Sequence, residues 1–247
     1  MSQAVEQEGG RAVTTRRERL RAATISEIKG LAWRQLAEVG AAALSLRAIA
    51  GEMGMTSSAL YRYFASRDDL LNALVVDGFS SLADALEAAE SELDADMGSD
   101  ESWLRLAAAH RRWALEHPTE YALVYGTPVP GLESGSDERR EQMKRGVNVL
   151  FRCMMAGLGR GEFNAGAIEA TMNPALKAKL SAWRAELGFD LPEAALAGCL
   201  FAWTHLHGAV SLELFGHLPM QLQPADELFN QQMTQVMAML GSPPDRT

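Results

Sequence analysis

No apolar run in the 247-residue chain reaches 18 residues, the length at which a stretch becomes a membrane-crossing candidate. The first 16 residues, rich in Glu, Gln and Gly, have no apolar segment of the kind a signal peptide needs. A membrane partner is therefore not expected, and the expected location is cytoplasmic. Cysteine is almost missing: Cys153 and Cys199 lie within apolar helical patterns, which excludes a disulfide framework and fits buried thiols in a reducing compartment. Strand-like alternation is absent, so the glycine-rich GLGRGEFNAG at 157–166, which follows a helical pattern and has no Lys-Ser/Thr pair, is not a nucleotide loop. No serine has a nucleophile-elbow context, and the histidines lie in helical patterns without an orienting carboxylate, so an enzyme is not expected. His205 and His207, two apart on a helix, point about 200° apart and cannot share a metal. A site built from His110, His117 and His207 is the remaining metal alternative; with no Cys or carboxylate pattern at ligand spacing, neither metal nor cofactor is expected.

The net charge of -9 argues against nucleic acid until its distribution is examined. Residues 1–67 hold ten Lys or Arg against six Asp or Glu, whereas the remainder holds thirteen against twenty-six. A basic head on an acidic body lets only the head approach DNA. Residues 1–16 read as a flexible basic arm, with Arg11, Arg16, Arg17, Arg19 and Arg21 placed for phosphate or minor-groove contacts; a solvated, frayed helix start is the plainer reading. A first helix spans about 17–40, with Ile25, Ile28, Leu31, Leu36 and Val39 as its buried stripe.

The stretch from Ser45 to Asp69 organises that head. Ser45 caps a short helix carrying Leu46, Ile49, Ala50 and Met53, and Gly54 ends it. Thr56 precedes a second run, Ser57 to Phe64, with Leu60 and Phe64 on one side, and Ser66 with Asp69 starts a third helix. Two short helices across a tight turn form a helix-turn-helix, whose second helix enters the major groove. Thr56, Ser57 and Ser58 crowd that helix's N-terminus, where free amides favour a phosphate. Tyr61, Arg62 and Tyr63 form its outer side, with Arg47 and Arg67 as clamps before and after it. Capping, packing and solvation account for each of these residues singly.

These residues resemble the DNA-binding domain of the TetR/AcrR regulators. Ile28, Leu31, Ala32, Leu36, Glu38 and Gly40 match its first helix, Ser45-Leu-Arg-x-Ile-Ala-x-x-Met-Gly54 its second, and Thr56-Ser-Ser-Ala-Leu-Tyr-Arg-Tyr-Phe64 with Ser66, Arg67 and Leu70 its recognition helix and the opening of the fourth. Met55 and Arg67 replace commoner Val or Ile and Lys. The resemblance implies that Tyr61, Tyr63 and Arg67 contact phosphates, that Ser57 and Ser58 lie at the base-reading end, and that Arg47 fixes the domain on the backbone.

The helix beginning near Arg67 keeps its rhythm for about 25 residues, a rod with one end in each of two parts. Beyond it the pattern predicts only helices. Trp103, Leu106, Ala107, His110 and Trp113 share a face ended by His117-Pro118, and a short helix 118–125 leads into a breaker-rich loop at 126–135. Helices follow at about 140–157, from Asn173-Pro174 carrying Leu176, Leu180, Trp183 and Leu187, at 192–215 and at 224–240. The last two are apolar over more than one face, and the resemblance implies that they pair with a second subunit as a four-helix bundle. Trp203, His207, Gly208 and Glu213-Leu-Phe-Gly216, with His117-Pro118-x-x-Tyr121 and Gly126, resemble a TetR subgroup named for Trp, His and Gly. His207 also reads as a core histidine hydrogen-bonded through one nitrogen. Trp103, Trp113, Tyr121, Tyr125, Phe151, Met154, Met155, Trp183 and Trp203, with His110 and His207 as polar groups, are the candidate lining of a mostly apolar effector cavity; a solid core filled out by methionine is the alternative.

The expected fold is all-α with nine or ten helices: an arm at 1–16, a three-helix reading domain at 17–66, a ligand and dimer domain at 67–241, and a tail at 242–247. The expected function is a dimeric repressor of an inverted-repeat operator, released by a small organic effector. A transcriptional activator, or a helical interaction module on the same fold, is the alternative.

Overall fold

The computed structural model describes residues 15–129, 136–163, 165–187 and 191–241. Arg11, most of the predicted arm, the tail and the greater part of the 126–135 loop lie outside them. Among the described residues the chain is all helical, with eleven α-helices and no strand longer than the isolated bridge between Phe163 and Gly241. The chain divides into two compact units, Met1–Leu74 and Val75–Thr247, with the boundary inside one helix.

In the first unit, α1 (Arg16–Val39) starts on a capping box: Thr15 Oγ1 accepts from the Glu18 amide, and the Glu18 carboxylate accepts from the Thr15 amide. Its buried stripe is Ile28, Leu31, Ala32 and Leu36. Val39, expected in that stripe, is 57% exposed. It is the last helical residue, and at Gly40 the chain swings away through a left-handed φ of +74°. α2 (Leu46–Glu52) is capped by Ser45, whose own amide donates to Gln35 Oε1 at 3.0 Å. Gly54, at φ +64°, makes the turn.

α3 is a single turn, Ser57–Leu60, shorter than the expected run to Phe64. Beyond Leu60 the backbone tightens into three-residue spacing, Arg62 N to Ala59 O and Tyr63 N to Leu60 O at 2.8 Å. Phe64 is nonetheless buried with Leu60. α4 (Arg67–Ser91) opens with Ser66 Oγ accepting from the Asp69 amide at 3.0 Å.

The second unit holds the rest of α4 with α5 (Ser99–Glu116), α6 (Pro118–Tyr125), α7 (Asp137–Gly159), α8 (Ala165–Thr171), α9 (Pro174–Leu187), α10 (Glu193–Leu214) and α11 (Asp226–Leu240). The sequence pattern missed α8, where small residues carry no clear apolar rhythm. On α9 Leu176 is 45% exposed, and Leu180 one turn later reaches the core. α10 is the centre, packed against α5, α7, α8, α9 and α11. By length and composition it is apolar enough to cross a membrane, and one part of its apolar surface packs on those neighbours while Leu212 stays exposed.

Two polar devices hold the layers in place. The Arg111 guanidinium on α5 meets both carboxylate oxygens of Glu213 on α10 at 2.7 Å and Asp226 on α11 at 2.8 Å. Arg145 and Arg152 on α7 reach Asp84, Glu87 and Glu90 on α4. Gly157 lets α7 approach its neighbours closely: a Cβ there would stand 2.1 Å from the Phe163 ring and 2.4 Å from Ser99 Oγ.

Candidate functional sites

The first site is the outer surface around α3. Thr56 accepts from the Ala59 amide with its side chain, and Ser58 Oγ lies 3.1 Å from Thr56 Oγ1, so one hydroxyl caps and the other extends the polar end. Ser58 and Arg62 are exposed, Ser57 is half-buried, and Tyr61 is 51% exposed although aromatic. Arg47 is exposed near the start of α2. Tyr63 is half-buried, with the Arg21 guanidinium 5.1 Å from its ring centroid, a cation-π contact joining α1 to the end of α3.

Arg67 stands differently from the rest. Its guanidinium donates to the Ala41 carbonyl and to Asp68 Oδ1, and its Nε is buried without a partner. In this arrangement it ties the start of α4 to the turn after α1. The Arg21–Tyr63 and Arg67–Ala41 contacts join positions far apart in the chain, and no sequence signal announces them.

The second site lies within the second unit. The expected effector residues fall into two groups there. His110, Tyr121, Tyr125, Trp203 and His207 form one aromatic cluster: Tyr125 is 4.6 Å from His207, centroid to centroid, and Trp203 stacks on His207 at 5.3 Å. The Tyr121 hydroxyl lies 2.9 Å from His207 Nδ1 and 2.9 Å from Ser211 Oγ. Burial raises Tyr121 to about 12 and also raises Tyr125, so both stay protonated. His110 is 2% exposed, and burial, with a smaller contribution from His207, pushes it down to about 3. It is neutral, and its Nδ1 has no partner. Phe79 of α4 meets Tyr125 edge-on at 5.7 Å.

Phe151 and Trp183, edge to face at 6.2 Å, with Met154 and Met155, form the other group. Trp103 and Trp113 share the α5 stripe with His110 but are otherwise engaged. Trp103 is fully buried, whereas Trp113 donates its indole N–H to Ser81 Oγ at 3.0 Å and stacks on His117.

Each group borders a void. One of about 10 Å³ is lined by His110, Tyr125 and Trp203; the other, about 20 Å³, by Met154, Met155 and Cys199. Neither holds more than a water-sized guest as the side chains stand. A much larger groove, about 360 Å³, lies on the outer face of α10 and α11 between Thr204, Gly208, Leu212, Gln235 and Met239. Among the described residues no group of three or more His, Cys, Asp or Glu is placed to hold a metal.

Known proteins share this arrangement. Residues 30–74 match the family model for bacterial regulatory proteins of the tetR family, and residues 103–236 match that of the tetracyclin repressor-like C-terminal domain. The HTH-type transcriptional regulator Rv1816 of Mycobacterium tuberculosis is 39% identical over 191 residues, 77% of this chain and 80% of the relative. The crystal structure of the regulatory protein SCO4313 superposes with a TM-score of 0.74 at 37% identity, covering 91% of this chain and all of the other. A protein of unknown function from Rhodococcus sp. RHA1 shares the fold, with a TM-score of 0.66 at 23% identity over 88% of this chain and 95% of its own. A capped helix-turn-helix ahead of a larger helical unit, matched in both parts by these relatives, places the chain in the TetR family of DNA-binding transcriptional regulators.

Proposed function

We propose that the protein is a ligand-responsive repressor: a cytoplasmic homodimer that occupies an inverted-repeat operator and leaves it when a small, mostly apolar organic molecule enters the second unit. The observation that carries this reading is the capped turn of α3, which holds Ser58, Tyr61 and Arg62 outward above a closed core of Ile28, Ile49 and Leu60. Ser57 and Ser58 read base edges in this account, Thr56 presents the helix N-terminus, and Arg47, Tyr61, Arg62 and Tyr63 meet phosphates. Arg67 contributes by fixing the turn ahead of α4.

Pairing of two copies takes place through the outer faces of α10 and α11, where Leu212 and Met239 are 47% and 69% exposed beside the large groove. Release works through α4. Gly78 lies so close under α6 that a Cβ would stand 3.1 Å from Val124 Cγ1, and Phe79 abuts Tyr125. A guest that displaces Tyr125 therefore acts on α4, and it shifts the equilibrium only by its differential affinity for the two arrangements. Selection of bound sequences from random duplex DNA tests the reading. Enrichment of an inverted repeat is expected, and recovery of no motif by folded dimer at low salt refutes it.

A further inference from the structure

The two voids are lined in part by the same two helices. Leu150 on α7 lines the first and Met154, one turn on, lines the second; Trp203 on α10 lines the first and Cys199, one turn back, lines the second. α7 and α10 pack against each other, so the voids follow one another along a single helix–helix seam. The two ends differ in chemistry. The first is lined by His110, whose Nδ1 is the only histidine nitrogen among the described residues that is fully buried with no partner. The second is walled by Met154, Met155, Leu158, Phe163 and Ile168, and the single thiol there, Cys199, is pushed up to about 12 by burial.

We propose that the voids are the two ends of one elongated site, which takes an amphipathic molecule with an uncharged oxygen head on His110 Nδ1 and an unbranched alkyl chain along the α7–α10 seam. This rests on the effector-responsive reading above. An orphaned buried imidazole nitrogen carries a desolvation penalty that a hydroxyl or carbonyl-type head removes. A carboxylate or ammonium is disfavoured, because the rings that meet His110, those of Tyr121 and Tyr125, and the neighbouring His207 carry no charge to pair with it. The chain is unbranched because it has to pass between Leu150, Met154 and Cys199, where the long, unbranched methionines re-pack at little cost. Gly146 and Leu158, at the two ends on α7, are separated by about 18 Å of helix, the reach of a chain of roughly a dozen carbons.

The test is calorimetric titration of the full-length dimer with hexan-1-ol, octan-1-ol, decan-1-ol and decanoate at pH 8. Affinity is expected to rise about fourfold per methylene from hexanol to decanol, with decanoate at least tenfold weaker than decanol. His110→Phe should weaken decanol about tenfold. Ala195→Val, which fills the second void, should weaken decanol and leave hexanol unchanged. Gly198→Ala at the same wall serves as a second variant, and helicity and melting temperature are read on every sample. An affinity that is flat with chain length, a decanoate that equals decanol, or folded Ala195→Val and Gly198→Ala proteins that bind decanol like the parent overturns the site. Operator release by compounds that do not compete with decanol overturns it too, while leaving the repressor reading intact. Decanol binding with the expected slope and no effect on operator occupancy upholds the site and refutes that reading instead.

Discussion

Replacing Tyr121 by phenylalanine isolates one atom. The side chain is fully buried, and its hydroxyl lies 2.9 Å from both His207 Nδ1 and Ser211 Oγ, while the ring stacks on His207 and meets His110 edge-on. Phenylalanine keeps the ring, so no cavity forms and the cost is confined to two polar groups of α10 left without a partner. A buried group stripped of its hydrogen bond costs about 1–3 kcal/mol; His207 and Ser211 are half-buried, which puts each at the low end, and about 2 kcal/mol is expected for the pair. In a unit of this size that corresponds to a fall in melting temperature of roughly 4–8 °C, measured at fixed protein concentration because dimerisation raises apparent stability. Ser211→Ala alone should cost about 1 kcal/mol. The double variant should cost less than the two single ones added together, because the second change removes a partner already lost. A Tyr121→Phe protein melting within about 1 °C of the parent, with additive single and double variants, would refute the claim that this hydroxyl joins α6 to α10.

Protonation provides a second test. His110 is neutral when folded, near 3 against about 6.5 unfolded, so its contribution to stability is complete above pH 6.5 and declines as pH falls toward 3. Urea titrations should show lower stability at pH 5.5 than at 7.5, by roughly 1 kcal/mol from this residue, and His110→Phe should reduce the difference, with His207, also lowered by burial, accounting for part of what remains. Arg67→Ala should lower the stability of the reading unit by about 1–3 kcal/mol, because it removes the strut to Ala41, and should leave the salt slope of DNA binding nearly unchanged; a slope reduced by one phosphate with unchanged stability would reverse that assignment. Leu212→Glu combined with Met239→Glu places charges on the outer face of α10 and α11, and sedimentation should show monomers of unaltered helicity.

What was legible in the sequence is what neighbours in the chain decide. Ser45, Thr56 and Ser66 cap, Gly54 turns and Pro118 starts a helix, each through groups within four residues. The corner of the first unit and the order of helices other than α8 followed from them. Side-chain fate over longer distances did not. The carbonyl that Arg67 meets belongs to a residue 26 positions earlier, and nothing near Arg111 foretells its pairing with Glu213 and Asp226 more than 100 residues away. Periodicity put Trp103, His110 and Trp113 on one stripe, yet only rotation and neighbours determine that His110 borders a void while Trp113 spends its N–H on Ser81. The extent of α3 was misjudged because Leu60 and Phe64 are both buried, and a tightened turn satisfies that spacing as a longer helix would.

The brevity of α3 bears on how much information one head can extract. On the operator reading proposed above, a single helical turn, Ser57–Leu60, offers few side chains to base edges, enough to distinguish about four base pairs per head and about eight for a symmetric pair. A pattern of that length recurs by chance dozens of times in a genome of several million base pairs, so it does not by itself define an address. The remaining discrimination has to come from outside the turn: from phosphate contacts that sense how readily a site bends, and from a fixed distance between two heads that rejects correctly spelled half-sites standing at the wrong separation. A protein that reads an inverted repeat with so short a turn, as proposed above, would identify its site by spacing as much as by sequence, and inserting a few base pairs between the half-sites should erase recognition as thoroughly as mutating them.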